Sequence, residues 1–564
     1  MNSYFRRSII IKPVIINHVK HLYLVFVAIS FCFGANAQEG EFPHSFNHSD
    51  LIADLSINEL PSLDLNRIAA EDMREELETG KTQMGRLIPT DVNILESGVW
   101  TTLPDGSRIC RIAFSSAEAL ALTAYFSDFY LPKGTELYVY SPDKSYWFGP
   151  MDHKENNAHG QFLTTEVFGD AIVLEYFEPL GISESPSLMI RAIGNHYRYV
   201  YPPAYLDANR GGSEFCEVDV ACPEGDEWLD EANAVVRLQI TDGFNVGLCT
   251  GTLMNNTDWD YRQLLLTAEH CTEDVSASDL QVLQVKFNFQ RPNCGSGSYP
   301  QARNRTGVVA LADCNCGGGF SGSDFSLFEI EDYISDTWNP YFAGWRSTSS
   351  GSTNGVSIHH PAGDIKKIST YVENLLNGTY GTASSAHWRV RWAETETNHG
   401  VTEGGSSGSP IFDPNHYVIG TLTGGASYCD SPNDRDYYGK MSYHFNNNPN
   451  SANDKLKVWL DPGNTGLTTM PGSYRGGLVG VEESNNDELM VYPNPTNGML
   501  TLKLSDYTSY ESIQVFNPMG QLVFSENLNS DLIQLDLSEL SAGVYHVSLL
   551  RTNGSPVSRK ITRY

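Results

Sequence analysis

The stretch "LLLTAEHC", Leu264 to Cys271, sets a histidine at the end of an apolar run. Leu264, Leu265 and Leu266 read as a buried strand. A histidine just beyond it can turn one imidazole nitrogen to a nucleophile while a carboxylate fixes the other. By itself, His270 fits a structural or surface role equally well. In "SGSDFSLFEI", Asp324 precedes the alternating apolar residues Phe325 and Leu327, so its carboxylate stands at the edge of a core. A buried aspartate needs a partner, and an imidazole N–H is one that also serves catalysis; without His270, Asp324 reads as a strand cap. The third stretch, "TEGGSSGSPIFD", offers a nucleophile, because Gly405, Ser407 and Gly408 form a tight turn that exposes the Ser407 hydroxyl. The N–H groups of Gly405 and Ser407 are the expected donors to a tetrahedral oxyanion, where losing one donor typically costs about 3 kcal/mol of transition-state stabilisation. The three stretches in combination point to acyl transfer at a carbonyl.

"GGSSG", Gly404 to Gly408, also fits a nucleophile elbow centred on Ser406. That elbow needs a strand before it, a helix after it, and then an acid followed by a histidine. Here "ETNHGVTE" before it is loop-like, and "PIFDPNHYVIGTL" after it reads as strand, turn, strand. The best histidine and aspartate lie upstream, so an esterase or lipase reading fails on context. An inactive homologue acting as a binding module would be expected to lack one of His270, Asp324 and Ser407, and all three are present.

Export is expected of the chain that carries these residues. Basic residues Arg6, Arg7, Lys12 and Lys20 precede the apolar run "LYLVFVAISFCFG" and the small-residue pattern "ANA", which makes residues 1–37 a signal peptide whose apolar run is too short to span a bilayer, with a retained anchor as the alternative. Ten cysteines and 49 glycines in 564 residues suit several oxidised, loop-rich domains. A net charge of −31 argues against nucleic-acid binding, which needs a basic face.

Patterning divides the remainder. Residues 38–210 alternate apolar and polar side chains, as in "ALALTAYFSDFYL", and read as a β-rich domain with hairpins. Residues 211–470 hold Cys216, Cys222, Cys249, Cys271, Cys294, Cys314, Cys316 and Cys429 together with the three chemical stretches. Residues 471–490 are turn-rich and acidic, as a linker is. Residues 491–564 form short strands separated by Asn-Pro, Met-Gly and Asn-Gly turns, a small β-sandwich. The fold class is all-β.

Across 211–470 the pieces "FCEVDVACPEGD", "CTGTLMNNT", "LLLTAEHC", "SDFSLFEI", "AGWR", "SIHHPAGDIKKIS", "VTEGGSSGSPIF" and "KVWLDP" resemble the bacterial lysyl endopeptidase family of chymotrypsin-fold serine endopeptidases. The order His270, Asp324, Ser407 is that of the chymotrypsin class, whereas subtilisin-like enzymes place the aspartate first. The resemblance implies a double β-barrel and peptide-bond hydrolysis through an acyl-enzyme, with protein or peptide substrates and no cofactor or metal. It also implies that Asp436, in "RDYYG", pairs with the basic side chain on the amino side of the scissile bond, the P1 residue. Strictly lysine-specific members carry a histidine before the paired glycines, where this chain has Thr423, Gly424 and Gly425. They also use a tryptophan from a region matching Tyr371 to Ser385, which contains none. Cleavage after Arg as well as Lys is therefore expected, with strict lysine specificity as the alternative.

The same family places the mature N-terminus just before Cys216, which points to cleavage between Arg210 and Gly211 and makes residues 38–210 a propeptide. Family counterparts imply the bridges Cys216–Cys429, Cys222–Cys294 and Cys249–Cys271. Cys314 and Cys316 are additions to the pattern, left between pairing with each other and a weak metal signal. His359 and His360 match the family without an assigned role. The last 75 or so residues, with "VYPNPTNG", "DLSELSAGVYHVSL" and "KITRY", resemble the sorting domain of type IX secretion systems, which implies that machinery as a partner and release from the cell or attachment to its surface. A small carbohydrate-binding sandwich is the alternative for that piece. The mature enzyme is expected to be a monomer with no transmembrane segment.

Overall fold

A computed structural model describes residues 41–48, 55–198, 212–297, 303–475 and most of 489–563. The expected signal peptide, Arg210 and Gly211 lie outside the described residues.

The alternation seen in the sequence becomes strands almost throughout. The N-terminal segment builds one sheet of its own around Arg108–Ser115, Ala171–Glu178 and Glu136–Tyr140. Its second sheet continues without a break into the cysteine-rich region. In spatial order it runs Ala121–Tyr130, Ser187–His196, Thr82–Asn93, Asn245–Met254, Val235–Asp242 and Gln284–Lys286. At the junction Thr82 lies opposite Leu248 and Gln83 opposite Gly247 in antiparallel register. An apolar cluster crosses it, with Met84, Leu87 and Tyr125 on one side and Val246, Leu248 and Val282 on the other.

The Val235–Asp242 strand explains which face the N-terminal segment covers. Side chains alternate across a strand, and Val236, Leu238 and Ile240 enter the core of the cysteine-rich region. The opposite face carries Arg237, Gln239 and Thr241, a pattern suited to water. All three are nevertheless buried. Gln239 Nε2 and Thr241 Oγ1 each donate to the Tyr125 hydroxyl oxygen at 3.3 Å.

The second sheet of the cysteine-rich region contains Gly355–His359, Lys367–Tyr371, Ala383–Val390, Pro410–Phe412, Tyr417–Gly425 and Asp436–Lys440. It packs over Tyr371, Trp388, Trp392, Ile411, Leu422 and Tyr438. The candidate residues come from both sheets. Ser473–Tyr474 pairs with Tyr341–Phe342, and Arg475 reaches Asp336 at 3.1 Å, so this body runs to Arg475, past the start of the expected linker.

One helix stands out from the β pattern, Leu65–Thr79. Asp64 caps its start by accepting from the Arg67 N–H, and Gly80 ends it at φ 74°, a left-handed conformation that glycine adopts without the Cβ penalty. At the C-terminus, a three-stranded and a four-stranded sheet enclose Leu502, Ile513, Val515, Val547 and Leu549. Among the described residues no helix is long and apolar enough to cross a membrane.

Candidate active site

Strand register brings His270 and Asp324 together. Leu264–Thr267 pairs with Ser326–Ile330, Leu266 opposite Leu327 and Thr267 opposite Ser326, so the residues just outside the two strands meet at one edge. Asp324 Oδ2 lies 2.7 Å from His270 Nδ1, and Asp324 Oδ1 accepts the His270 backbone N–H at 3.0 Å. Two bonds from one carboxylate fix the ring's position and its tautomer, with the proton on Nδ1. Burial alone would lower the His270 pKa, but the Asp324 carboxylate outweighs it and holds the imidazole above its ordinary value. Asp324 is correspondingly held low, its desolvation offset by His270.

The glycine–serine turn lies against the same strand end. Gly408, at φ 81°, approaches so closely that a Cβ there would fall 2.2 Å from Thr267 Oγ1 and 2.7 Å from the Ala268 nitrogen. The Thr250 N–H donates to the Ser407 carbonyl at 2.8 Å. Among the described residues the N–H groups of Gly405 and Ser407 donate to no acceptor. His270 Nε2 is buried without a hydrogen-bond partner, and no hydrogen bond joins it to Ser407 Oγ.

Neighbouring Ser406 is different. It is 0% exposed against 7% for Ser407, and its hydroxyl lies 2.8 Å from His359 Nδ1. His359 thereby has a packing role under the turn, and burial depresses its pKa to about 3, so the ring is neutral. His360 Nδ1 donates to the Asp364 carbonyl at 2.8 Å in the same loop. Beneath the turn, burial pushes Glu403 to about 7 and Glu217 well above the carboxylate range.

A cavity of about 460 Å³ opens beside Ser407, walled by Thr402, Thr423, Gly424, Gly425 and Ser427. Asp436 lies directly behind it and is fully buried. Only a glycine fits at 425, because a Cβ would fall 1.9 Å from Asp436 Oδ1. Asp436 accepts from Trp392 Nε1 at 2.6 Å, Thr402 Oγ1 at 2.8 Å, Ser427 Oγ at 2.5 Å and the Ser427 N–H at 3.1 Å. Burial raises its pKa despite these donors. The Thr423 hydroxyl lies 3.2 Å from His387 Nε2, and the aromatic wall from the 371–385 region is Tyr380.

Four disulfides brace the region. Cys249–Cys271 ties the residue after His270 to a core strand, Cys216–Cys429 anchors the loop before Asp436, and Cys222–Cys294 and Cys314–Cys316 complete the set. Cys314 and Cys316 group with Glu269, and Cys249 and Cys271 with His270, at metal-like spacing, but every sulfur is bonded to another and none is a free thiolate.

Sequence reasoning missed Glu269. Its carboxylate accepts the Cys316 N–H at 2.8 Å and the Gly318 N–H at 3.0 Å, which pins the 314–319 loop behind the His–Asp pair. A Cβ on Gly318 would meet His270 Cβ at 2.9 Å, and one on Gly319 would meet Asp324 Cβ at 2.8 Å. The signal was an acid adjoining His270 and a run of three glycines after Cys316. Also missed was the reach of the N-terminal helix, whose Glu76, Glu78, Thr79 and Gly80 line the cavity. A Cβ on Gly80 would stand 3.7 Å from His270 Nε2.

An all-β body with a carboxylate-held histidine beside a glycine–serine turn has the construction of a serine endopeptidase, and comparison with known proteins gives the same class. Residues 210–439 match the lysyl endopeptidase C-terminal domain, and residues 490–562 match the secretion system C-terminal sorting domain. A lysyl endopeptidase of Pseudomonas aeruginosa is 29% identical over 372 residues, covering 62% of this chain and 76% of that protein. The ulvan lyase NLR42 of Nonlabens ulvanivorans is 26% identical over 230 residues, covering 36% of this chain and 40% of that protein. Among solved structures, the active form of the Rv3671c protease from M. tuberculosis aligns over 40% of this chain and 84% of its own, at 14% identity and a TM-score of 0.26, too loose to carry detail. The chain is a secreted serine endopeptidase that resembles the lysyl endopeptidases, and its C-terminal sorting domain directs it through the outer membrane by type IX secretion.

Proposed function

We propose that the enzyme cleaves peptide bonds after lysine and arginine, with Ser407 as nucleophile, His270 as general base and Asp324 as the residue that orients it. Ser407 Oγ attacks the scissile carbonyl as His270 Nε2 takes its proton. The N–H groups of Gly405 and Ser407 receive the oxyanion, and His270 returns the proton to the leaving amine. Water then hydrolyses the acyl-enzyme by the same base. The observation that carries this reading is the Asp324 carboxylate holding both the backbone and the ring of His270, with unengaged amides on the adjacent turn. Two sheets contributing to one cleft support the chymotrypsin-like double barrel.

Asp436 selects the cation. A carboxylate buried behind Gly425 has four donors and no counter-charge among them, so a substrate ammonium or guanidinium supplies what the pocket lacks. Thr423 and Tyr380 replace the histidine and tryptophan that restrict strict lysine enzymes, which favours acceptance of both basic residues. Strict lysine cleavage remains the second reading, favoured by the 29% identity to a lysyl endopeptidase.

Residues 38–210 act as a propeptide. Its helix end occupies the cleft at Gly80, and Lys81 is turned away from Asp436, its Nζ donating to the Glu273 carbonyl at 2.7 Å and pairing with Asp242 at 3.1 Å. The segment blocks the site without presenting a basic side chain to the pocket. The cut expected between Arg210 and Gly211 severs the covalent link between that block and the protease. The test is kcat/KM for matched peptide amides bearing Lys, Arg or Leu at P1, using processed enzyme and the Ser407→Ala variant. Comparable rates for Lys and Arg, far above Leu and absent in the variant, support the reading; cleavage of Leu at similar rates overturns it.

A further inference from the structure

Register places Arg237 directly opposite Lys286 on neighbouring antiparallel strands. Like charges facing each other across a strand pair repel. Here they are 3% and 2% exposed, which raises the cost further. What stands between them is one side chain of the N-terminal segment. Glu166 pairs with Arg237 through one oxygen and with Lys286 through the other, at 2.6 Å to the Lys286 Nζ. Burial alone would raise the Glu166 pKa, but Lys286 and Arg237 prevail and hold the carboxyl well below its usual range. Both cations also lie over the Phe289 ring, at 5.0 and 5.1 Å from its centroid. Flanking contacts fix the segment in place, with Gln284 Nε2 donating to the Thr164 carbonyl at 3.3 Å and Asn304 Nδ2 to Thr165 Oγ1 at 2.8 Å.

We propose that the Arg237–Lys286 pair is a carboxylate-binding site on the protease face, and that Glu166 docks there to keep the propeptide bound after its chain is cut. The face that carries the pair is polar at every second position, as befits a surface that later meets water. The antiparallel register that sets the two cations opposite each other is formed by protease strands alone. Cutting the chain between residues 198 and 212 removes no part of this contact, so activation has two stages, cleavage and then dissociation. The inference rests on the propeptide reading above.

The experiment uses full-length protein, wild type and Glu166→Gln, with Glu118→Gln as an exposed-acid control on the same segment. After processing is verified by intact mass, each sample is run on size exclusion at physiological salt, and inhibition by the retained fragment is measured with a peptide amide. Removing one partner of a buried charge group typically weakens association by about 150- to 5,000-fold. The wild-type and Glu118→Gln fragments are expected to co-elute with the protease, and the Glu166→Gln fragment to separate with a matching gain in activity. Should Glu166→Gln chains fail to accumulate, Lys286→Gln tests the contact from the protease side, with weaker retention expected. Cut chains whose variants retain the fragment as tightly as wild type overturn this inference alone. Chains never cut in that interval overturn the propeptide reading and this inference with it.

Discussion

Replacing Asp436 by asparagine removes the negative charge behind the pocket while keeping the side chain's size. The wild-type carboxylate is fully buried and accepts four hydrogen bonds, three of them at Oδ2. Asparagine keeps the shape, but its amide NH2 meets donors from Trp392, Thr402 or Ser427 whichever way it is turned. A basic P1 side chain entering the variant pocket loses the Asp436 counter-charge, and an uncompensated buried charge costs about 3–5 kcal/mol. That predicts a fall in kcat/KM of roughly 10²- to 10³-fold or more for both Lys and Arg amides. A Leu amide carries no charge to strand, so its slow rate should hold or rise. The assay is initial-rate kinetics on processed enzyme, with active-site titration to count competent molecules and a melting curve to exclude unfolding. Retention of Lys and Arg cleavage within a few-fold of wild type, at equal active-site counts, would refute the role given to Asp436.

Acidification should act through two groups: His270, whose raised pKa protonates the base at higher pH than an ordinary imidazole, and Asp436, whose raised pKa neutralises the pocket above the ordinary carboxylate range. Both effects lower kcat/KM as pH falls, and a pH profile of Asp436→Asn on a Leu amide should retain only the histidine limb. Glu269→Ala leaves the buried Cys316 N–H without its acceptor, at about 1–3 kcal/mol, and the half-buried Gly318 N–H at less, and should lower both Tm and kcat. Glu269→Gln should recover much of the stability, and because burial pushes the Glu269 pKa up to about 7, its charge near His270 is already being lost over the acid limb, which should move only slightly to lower pH in the variant. Removing the Cys249–Cys271 bridge, which spans 22 residues, should cost about 3 kcal/mol in denaturant titrations, with His270 affected first because it adjoins Cys271.

The candidate site was legible because its parts are local. An apolar run ending at His270, an alternating run starting after Asp324 and a glycine–serine turn each announce themselves within a dozen residues. Strand pairing did the rest, with Leu264–Thr267 set antiparallel against Ser326–Ile330. The helix at Leu65–Thr79 escaped notice among alternating strands, although Asp64 and Gly80 mark its ends. Long-range polar contacts were not legible. Nothing near Glu166 in sequence indicates Arg237 or Lys286, and nothing near Arg237 indicates that its water-patterned face would be covered. Glu269 was visible only as an acid beside a histidine, because its acceptor role depends on a loop some 45 residues away. Residues 471–475 read as linker because two-residue strands such as Ser473–Tyr474 are too short to show alternation.

The central claim is that Ser407, and not the buried Ser406, is the nucleophile made reactive by His270 and Asp324. The direct measurement is to label processed enzyme with a fluorophosphonate and map the adduct by peptide mass spectrometry. One phosphonyl group per active molecule on Ser407, lost in His270→Ala, is the predicted result. An adduct on Ser406, or full endopeptidase activity in enzyme whose Ser407 is blocked, would contradict the account.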